Sequence, residues 1–193
     1  MDRLIYSMGV SLDGYVEDAR GDFGWSAPPE DVHRIANEEA RAAAAFLFGR
    51  RMYELMESFW PAAAARGEGS EVELEFAHAY VETPRIVFSD TLEGVGDGAR
   101  LVRSKDARAE VERLKEEAGG PLSVSGPGLA ASLADLIDEF RLWVSPVVVG
   151  AGKPFFPEPP GPLRLRLAEN RTCSEGVLYL RYERETQPYE REA

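Results

Sequence analysis

Three short stretches bring together residue types suited to holding an anion. In Phe46-Leu47-Phe48-Gly49-Arg50-Arg51-Met52-Tyr53-Glu54, Gly49 closes an apolar run and two arginines open a helical one. A helix start offers unpaired N–H groups to an anion, and a guanidinium can bind phosphate through two parallel hydrogen bonds. The same residues also read as a strand-to-helix turn with two solvated arginines. In Val124-Ser125-Gly126-Pro127-Gly128-Leu129, small residues lie between an apolar strand and a helix carrying Leu129, Leu133, Leu136 and Ile137. Such residues let backbone N–H groups approach a pyrophosphate, although a plain glycine- and proline-rich connection has the same composition. Neither a G-x-G-x-x-G fingerprint nor a Lys-Ser or Lys-Thr pair accompanies it. The third stretch runs from Ser145 to Pro157, where Gly150-x-Gly152 permits a tight turn after three valines. Lys153 and the two phenylalanines after it read as structural.

Two patterns must position these stretches. Apolar runs rich in β-branched and aromatic residues recur at 4–10, 45–48, 85–89, 100–102, 122–125 and 140–149. Between them, Val32, Ile35, Ala36, Ala40, Ala43 and Leu47 keep helical spacing after Pro28-Pro29, with Glu30 and Asp31 in the first turn. Met52, Leu55, Met56 and Phe59 predict a short helix before Pro61. Ser70-x-x-Glu73 is a capping box ahead of Phe76, Ala77, Tyr80 and Val81, and Val111, Leu114 and Ala118 mark a helix stopped by Gly119-Gly120-Pro121. Continuous apolar strands predict a sheet covered on both faces. Near the end, Leu163, Leu165 and Leu167 alternate with arginines, and Leu178, Leu180 and Tyr182 alternate with Tyr179 and Arg181. That is the pattern of a half-buried antiparallel hairpin. Ala62 to Gly69 and Pro154 to Pro162 read as mobile loops.

A chain of 193 residues with 44% hydrophobic residues is most simply one domain with a real core, here 1–185, followed by a polar tail at 186–193. The net charge of −12 argues against a nucleic-acid binder, which works through clustered Lys and Arg. No stretch reads as a membrane span or signal peptide, because the N-terminal apolar run is short and broken by Asp13, so a cytoplasmic location is expected. The lone Cys173 has no partner for a disulfide and no companion ligands at zinc spacing, and reads as a small buried hydrophobe.

Taken in order, SLDGYV, FLFGRRMYE, RIVFSDTL, LSVSGPGLAASL and LIDEFRLWVSPVVVGAGKPFF resemble the dihydrofolate reductase-like superfamily over residues 3 to 184. They look closest to the reductase domain of the bifunctional riboflavin-biosynthesis deaminase/reductase and its stand-alone bacterial relatives. The resemblance implies a three-layer α/β fold with a mainly parallel eight-stranded sheet and an antiparallel C-terminal hairpin. It implies NADPH as cofactor and hydride transfer to a small-molecule substrate, a pteridine or a 5-amino-6-ribosylamino-pyrimidine, with homodimers common among relatives. Leu142 to Val149 would then be a candidate interface strand. Gly49, Arg50 and Arg51 would hold phosphates. Ser89 would lie near the adenosine ribose, and Ser125, Gly126, Gly128 and Leu129 would cradle the pyrophosphate, with a cis peptide at Ser125-Gly126.

The resemblance also makes the segment at Asp13 and Gly14 a flap over the substrate, whereas Asp-Gly on its own is a strong signal for a tight hairpin. Asp31, in the first turn of the first helix, is the candidate proton donor beside Glu30 and Glu38, while His33 among them, like His78, reads as a solvated helix residue. Trp25 is a candidate stacking residue that packing would explain equally well. Met52 stands where such enzymes commonly carry a phosphate-binding threonine, and Asp90 beside Ser89 would repel a 2′-phosphate. The zinc deaminase half of the riboflavin enzyme has no counterpart here, since no His-x-Glu with Cys-x-x-Cys occurs. The rival reading is a non-catalytic nucleotide-binding or scaffolding protein of the same fold. A flavodoxin-like alternative requires an all-parallel sheet without the terminal hairpin.

Overall fold

In the computed structural model, which describes residues 1–156 and 161–185, the six apolar runs each contribute a strand, the two alternating stretches near the end form two more, and residues 15–18 and 152–154 add two that neither pattern marks. The strands are β1 (Leu4–Ser11), β2 (Tyr15–Asp18), β3 (Ala45–Gly49), β4 (Arg85–Phe88), β5 (Ala99–Val102), β6 (Leu122–Ser125), β7 (Glu139–Ser145), β8 (Gly152–Pro154), β9 (Leu165–Thr172) and β10 (Leu178–Arg184). The helices are α1 (Glu30–Ala42), α2 (Arg50–Glu57), α3 (Trp60–Arg66), α4 (Glu71–Glu82), α5 (Ala107–Glu117) and α6 (Pro127–Ser132).

Eight strands form one sheet in the order β5-β4-β3-β6-β1-β7-β10-β9. All neighbours from β5 to β7 run parallel, and β10 is antiparallel to both β7 and β9. The terminal hairpin excludes the flavodoxin-like alternative. One face packs Leu4, Tyr6, Val10, Leu47, Leu122 and Val124 against α5 and α6. The other packs Phe46, Phe48 and Val87 against Ala40 of α1 and Ala79 and Tyr80 of α4. This is the three-layer arrangement expected, and it gathers the carboxyl ends of β1, β3, β4, β6 and β7 along one rim.

The Asp13-Gly14 segment leaves the sheet. Gly14 has φ +90°, and β2 pairs with β8 in a separate two-stranded sheet, so no β1–β2 hairpin ladder forms. Phe155, just after β8, anchors this flap: its ring stacks on Tyr6 at 4.2 Å and is 2% exposed, and its N–H donates to the Gly14 carbonyl at 2.9 Å.

Four expectations are corrected. Residues 62–66 are not loop: the alanine run forms α3, with Pro61 in the first turn where a missing N–H does no harm. The strand expected over 140–149 stops at Ser145, because Pro146 cannot donate to a ladder, and Val148 is 67% exposed. The helix expected through Ile137 ends at Ser132. Cys173 is half-buried, not enclosed. Residues 157–160 of the proline-rich loop and the tail at 186–193 lie outside the described residues.

Candidate functional site

Where β3 meets α2 and β6 meets α6, two helix starts lie side by side. Neither Gly49 before α2 nor Gly126 before α6 supplies a side-chain cap, which leaves first-turn N–H groups of both helices without side-chain acceptors. A β-carbon on Gly49 would sit 3.8 Å from that of Leu129, and one on Gly126 would sit 3.5 Å from that of Met52. Gly126 has φ +97°, a conformation that favours glycine, and its N–H is directed at Met8 Sδ, 3.3 Å away. No cis peptide occurs among the described residues, so the Ser125-Gly126 bond is trans. Gly128 has open space around it. The Ser125 hydroxyl points at the Ser7 carbonyl at 3.5 Å.

This junction opens into a cavity of about 610 Å3, within the roughly 300–1,000 Å3 usual for small-molecule sites. Ser125, Gly126, Arg51 and Met52 line it, together with Glu17 and Lys153 of the flap. Arg51 reaches across the mouth and makes a two-pronged ion pair with Glu17, at 3.1 and 3.3 Å. Arg50 is exposed on the first turn of α2 and approaches Glu54 only to 3.9 Å.

A second group of lining residues is aromatic. Trp60 and Phe76 have ring centroids 4.5 Å apart, and His33 meets both edge-on at 6.2 and 5.8 Å. Trp143 also lines the cavity, held by its indole N–H donating to Ser7 Oγ at 3.0 Å. Behind Ser7 is a smaller chamber of about 110 Å3 that reaches Glu39. Burial pushes the Glu39 carboxyl above its ordinary value, against the pull of Arg141 at 3.1 Å. The hydroxyls of Tyr179 and Ser7 donate to it at 2.9 and 3.1 Å.

Several residues singled out from the sequence are engaged elsewhere. Asp31 does not line the cavity: it accepts from the backbone N–H and hydroxyl of Ser174 at 2.8 and 3.0 Å, and these bonds hold its carboxyl below the ordinary range. An ionised carboxylate tied to the loop before β10 has no proton to give. Trp25 stands outside the cavity, its indole N–H donating to the Asp22 carbonyl at 3.2 Å. Ser89, 4% exposed at the end of β4, accepts from the N–H groups of Thr91 and Leu92 at 3.2 and 3.1 Å, so its hydroxyl shapes the turn. Asp90 is occupied too, accepting from Ser104 N–H at 3.0 Å, while Arg103 donates to the Ser89 and Leu92 carbonyls from the same turn.

Asp13 and Gly14 fasten the flap without entering the cavity. Asp13 accepts from the Ser11 hydroxyl at 2.7 Å and from the N–H groups of Val149 and Gly150 at 3.2 and 2.8 Å. These bonds, Ser11 first, lower its carboxyl pKa below the ordinary value. With the folded value depressed, the anchorage is complete above about pH 3.9, the value for a free aspartate. It is lost as pH falls through the lower folded value. Hydrogen exchange is expected to find the Val149 and Gly150 amides protected at pH 5 and still at about pH 3.9, to lose that protection as pH falls further through the lower folded value, and to lack it in Asp13→Ala at any pH.

Sequence reasoning missed Glu17, Trp60, Phe76, Trp143 and the pair Asn37 and Glu39, and His33, read as a solvated helix residue, is instead buried in the cavity wall, where Trp60 and Phe76 pack on it. Asn37 and Glu39 carried a signal, because they are polar side chains among the apolar positions of α1. Trp143 carried one as well, being in step with Glu139 and Arg141 on the other face of β7 from Phe140, Leu142 and Val144.

The strand order, the antiparallel finish and a cleft on the carboxyl rim define a dihydrofolate reductase-like α/β protein. Among solved structures, the chain is similar to a putative riboflavin biosynthesis protein from Shewanella sp. PV-4, with TM-score 0.70 and 23% identity over 96% of this chain and 99% of that one. It is also similar to the dihydrofolate reductase of Enterococcus faecalis, with TM-score 0.57 and 14% identity over 94% and 96%. The chain belongs to the RibD C-terminal domain family, whose model matches residues 2–179. A curated relative, the uncharacterized protein YyaP of Bacillus subtilis, is 28% identical over 183 residues, covering 93% of this chain and 94% of that protein.

Proposed function

We infer that the protein is a reductase that binds NADPH and reduces a small heterocycle of pteridine or ribosylaminopyrimidine type. The observation that carries this is a single cavity joining two uncapped helix starts and Arg51 to an aromatic wall of Trp60, Phe76 and Trp143. Pyrophosphate suits N–H groups and guanidinium, and flat rings suit the aromatic wall. The residues fit a dinucleotide: a side chain on Gly126 would intrude on the junction, and Gly128 leaves room for close approach. When bound, reduced nicotinamide supplies hydride. The chain's own part is to grip the phosphates through Gly49, Arg50, Arg51, Gly128 and Leu129, to orient the acceptor ring, and to exclude water beneath the β2–β8 flap. Membership in the RibD C-terminal domain family supports the reductase role. Repulsion of a 2′-phosphate by Asp90 is reduced, because its charge is spent on Ser104 and lies beside Arg103 and Lys105.

A thermal-shift comparison of NADPH, NADH and flavin tests the reading. NADPH at a hundred times its dissociation constant is expected to add about 2.7 kcal/mol, raising Tm by roughly 5–11 °C for a chain of this size. No shift with either nicotinamide dinucleotide overturns it. Binding without oxidation in the presence of acceptors favours the non-catalytic alternative.

A further inference from the structure

We propose that His33 is the acid of this reaction, delivering a proton from Nε2 to the reduced acceptor, and that Asn37 is the residue that fixes its ring. The proposal rests on the reductase reading above. A hydride alone cannot complete the reduction of a C=N or C=O bond. As the acceptor carbon gains hydride, its π bond to the heteroatom breaks, the electron pair passes to nitrogen or oxygen, and that atom needs a proton. The imidazolium of His33 gives up its Nε2 proton there, becomes neutral, and is recharged from water.

The geometry assigns this role by exclusion and by construction. Among the titratable residues lining the cavity, Glu17 and Arg51 are paired to each other, and Lys153 lies in the flap strand opposite Glu17. Glu54 lies on α2 near Arg50. His33 alone belongs to the aromatic wall against which a flat substrate would rest. It also borders a second recess of about 300 Å3, lined by Glu30, Ser70, Glu71 and Glu73, and is the titratable residue common to both. An imidazole between the two spaces has a route by which water can restore its proton.

The ring is fixed from behind. Asn37, fully buried, donates through Nδ2 to the Val72 carbonyl at 2.9 Å and to Glu75 Oε2 at 3.0 Å. Both of those partners are acceptors, so the amide can stand only one way round, with Oδ1 facing His33 Nδ1 at 3.1 Å. Nδ1 therefore carries hydrogen, and Nε2 is the atom that binds and releases the transferable proton. Among the described residues, Nε2 has no hydrogen-bond partner, yet it is not sealed off. The charged groups around the ring are Glu30 and Arg34 of α1, Glu71 and Glu73 of α4, Glu54 of α2, and Glu75 behind Asn37, which is paired to Arg41 at 2.9 Å. Glu39 is the rival acid, but its oxygens are taken by Arg141, Tyr179 and Ser7, and it lines the smaller adjoining chamber and not the cavity itself.

The chain has two histidines, which makes 15N NMR of histidine-labelled protein readable, with His33→Gln assigning the signals. Neutral His33 is expected to be the Nδ1–H tautomer, and Asn37→Leu to give a mixture of tautomers. With NADPH and either dihydrofolate or 5-amino-6-(5-phosphoribosylamino)uracil, kcat is expected to fall as pH rises in the native protein and to lose that pH dependence in His33→Gln. His33→Gln is expected to lower kcat by ~10²–10⁴-fold while the NADPH-induced thermal shift stays as in the native protein. An Nε2–H tautomer in the native protein overturns the proposal, as does an unchanged rate in His33→Gln. Loss of the pH dependence in Glu39→Gln instead assigns the acid to Glu39 and also overturns it. NADPH binding with neither acceptor reduced overturns the acid and keeps the binding site. No NADPH-induced shift in the native protein overturns the reductase reading itself.

Discussion

Gly126→Val is expected to lose NADPH binding by at least ~100-fold, about 2.7 kcal/mol, while the protein still folds. At φ +97° a β-branched side chain is strained by about 1–3 kcal/mol, a cost that a domain of this size withstands with a Tm lowered by roughly 2–12 °C. The β-carbon itself would meet Met52 at an ordinary 3.5 Å. The two methyl groups beyond it add bulk at the junction of α2 and α6, where the proposed function puts the pyrophosphate. Titration calorimetry of the variant against the native protein decides the matter. Binding within threefold of native would remove Gly126 from the cofactor cradle.

Gly152→Ala is expected to cost about 3 kcal/mol and lower Tm by roughly 6–12 °C. A β-carbon there would lie 1.9 Å from the Glu17 carbonyl oxygen and 2.8 Å from Asp18 Cα, and Gly152 has φ +153°. Because the obstructing atoms are backbone, no rotamer change relieves the contact, and β2 must part from β8. With them, Glu17 and Lys153 leave the cavity, so weaker NADPH binding should accompany the loss of stability. Limited proteolysis should find new cuts between residues 12 and 20. A variant with native Tm and an uncut flap would mean that the strands tolerate separation there.

The parts of this molecule legible in its sequence are those governed by local rules. The Ser70 capping box forms as written, with Glu73 returning to the Ser70 N–H at 2.7 Å. The apolar runs at 45–48 and 85–88 are strands buried along their length, and the alternation at 178–182 sits on the antiparallel finish. Gly49, Arg51, Ser125 and Gly126 were grouped by the resemblance of their motifs to the dihydrofolate reductase-like superfamily, and the pairing of β3 with β6 brings their strand ends together on one rim. The sequence did not reveal which polar atoms were already spent. Asp31 on Ser174, Ser89 on its own turn and Trp25 on Asp22 all use hydrogen bonds that exist only once distant or looped segments have met. The aromatic wall was hidden for a related reason. Trp60 begins α3 beside Pro61, where the sequence reads as a helix end, and only the packing of α3 on α4 turns its ring toward His33.

β1 is made before either of its neighbours in the sheet. Leu4 lies opposite Leu122, and Ile5 opposite both Ser123 and Glu139, so β1 lacks partners on both flanks until β6 is made, and on one until β7 follows. Such long-range pairing slows folding, and on the ribosome it leaves an aggregation-prone apolar segment unpaired through the making of β2 to β5 and their helices. The central place of β1 thus ties the assembly of the cleft to the arrival of β6 and β7.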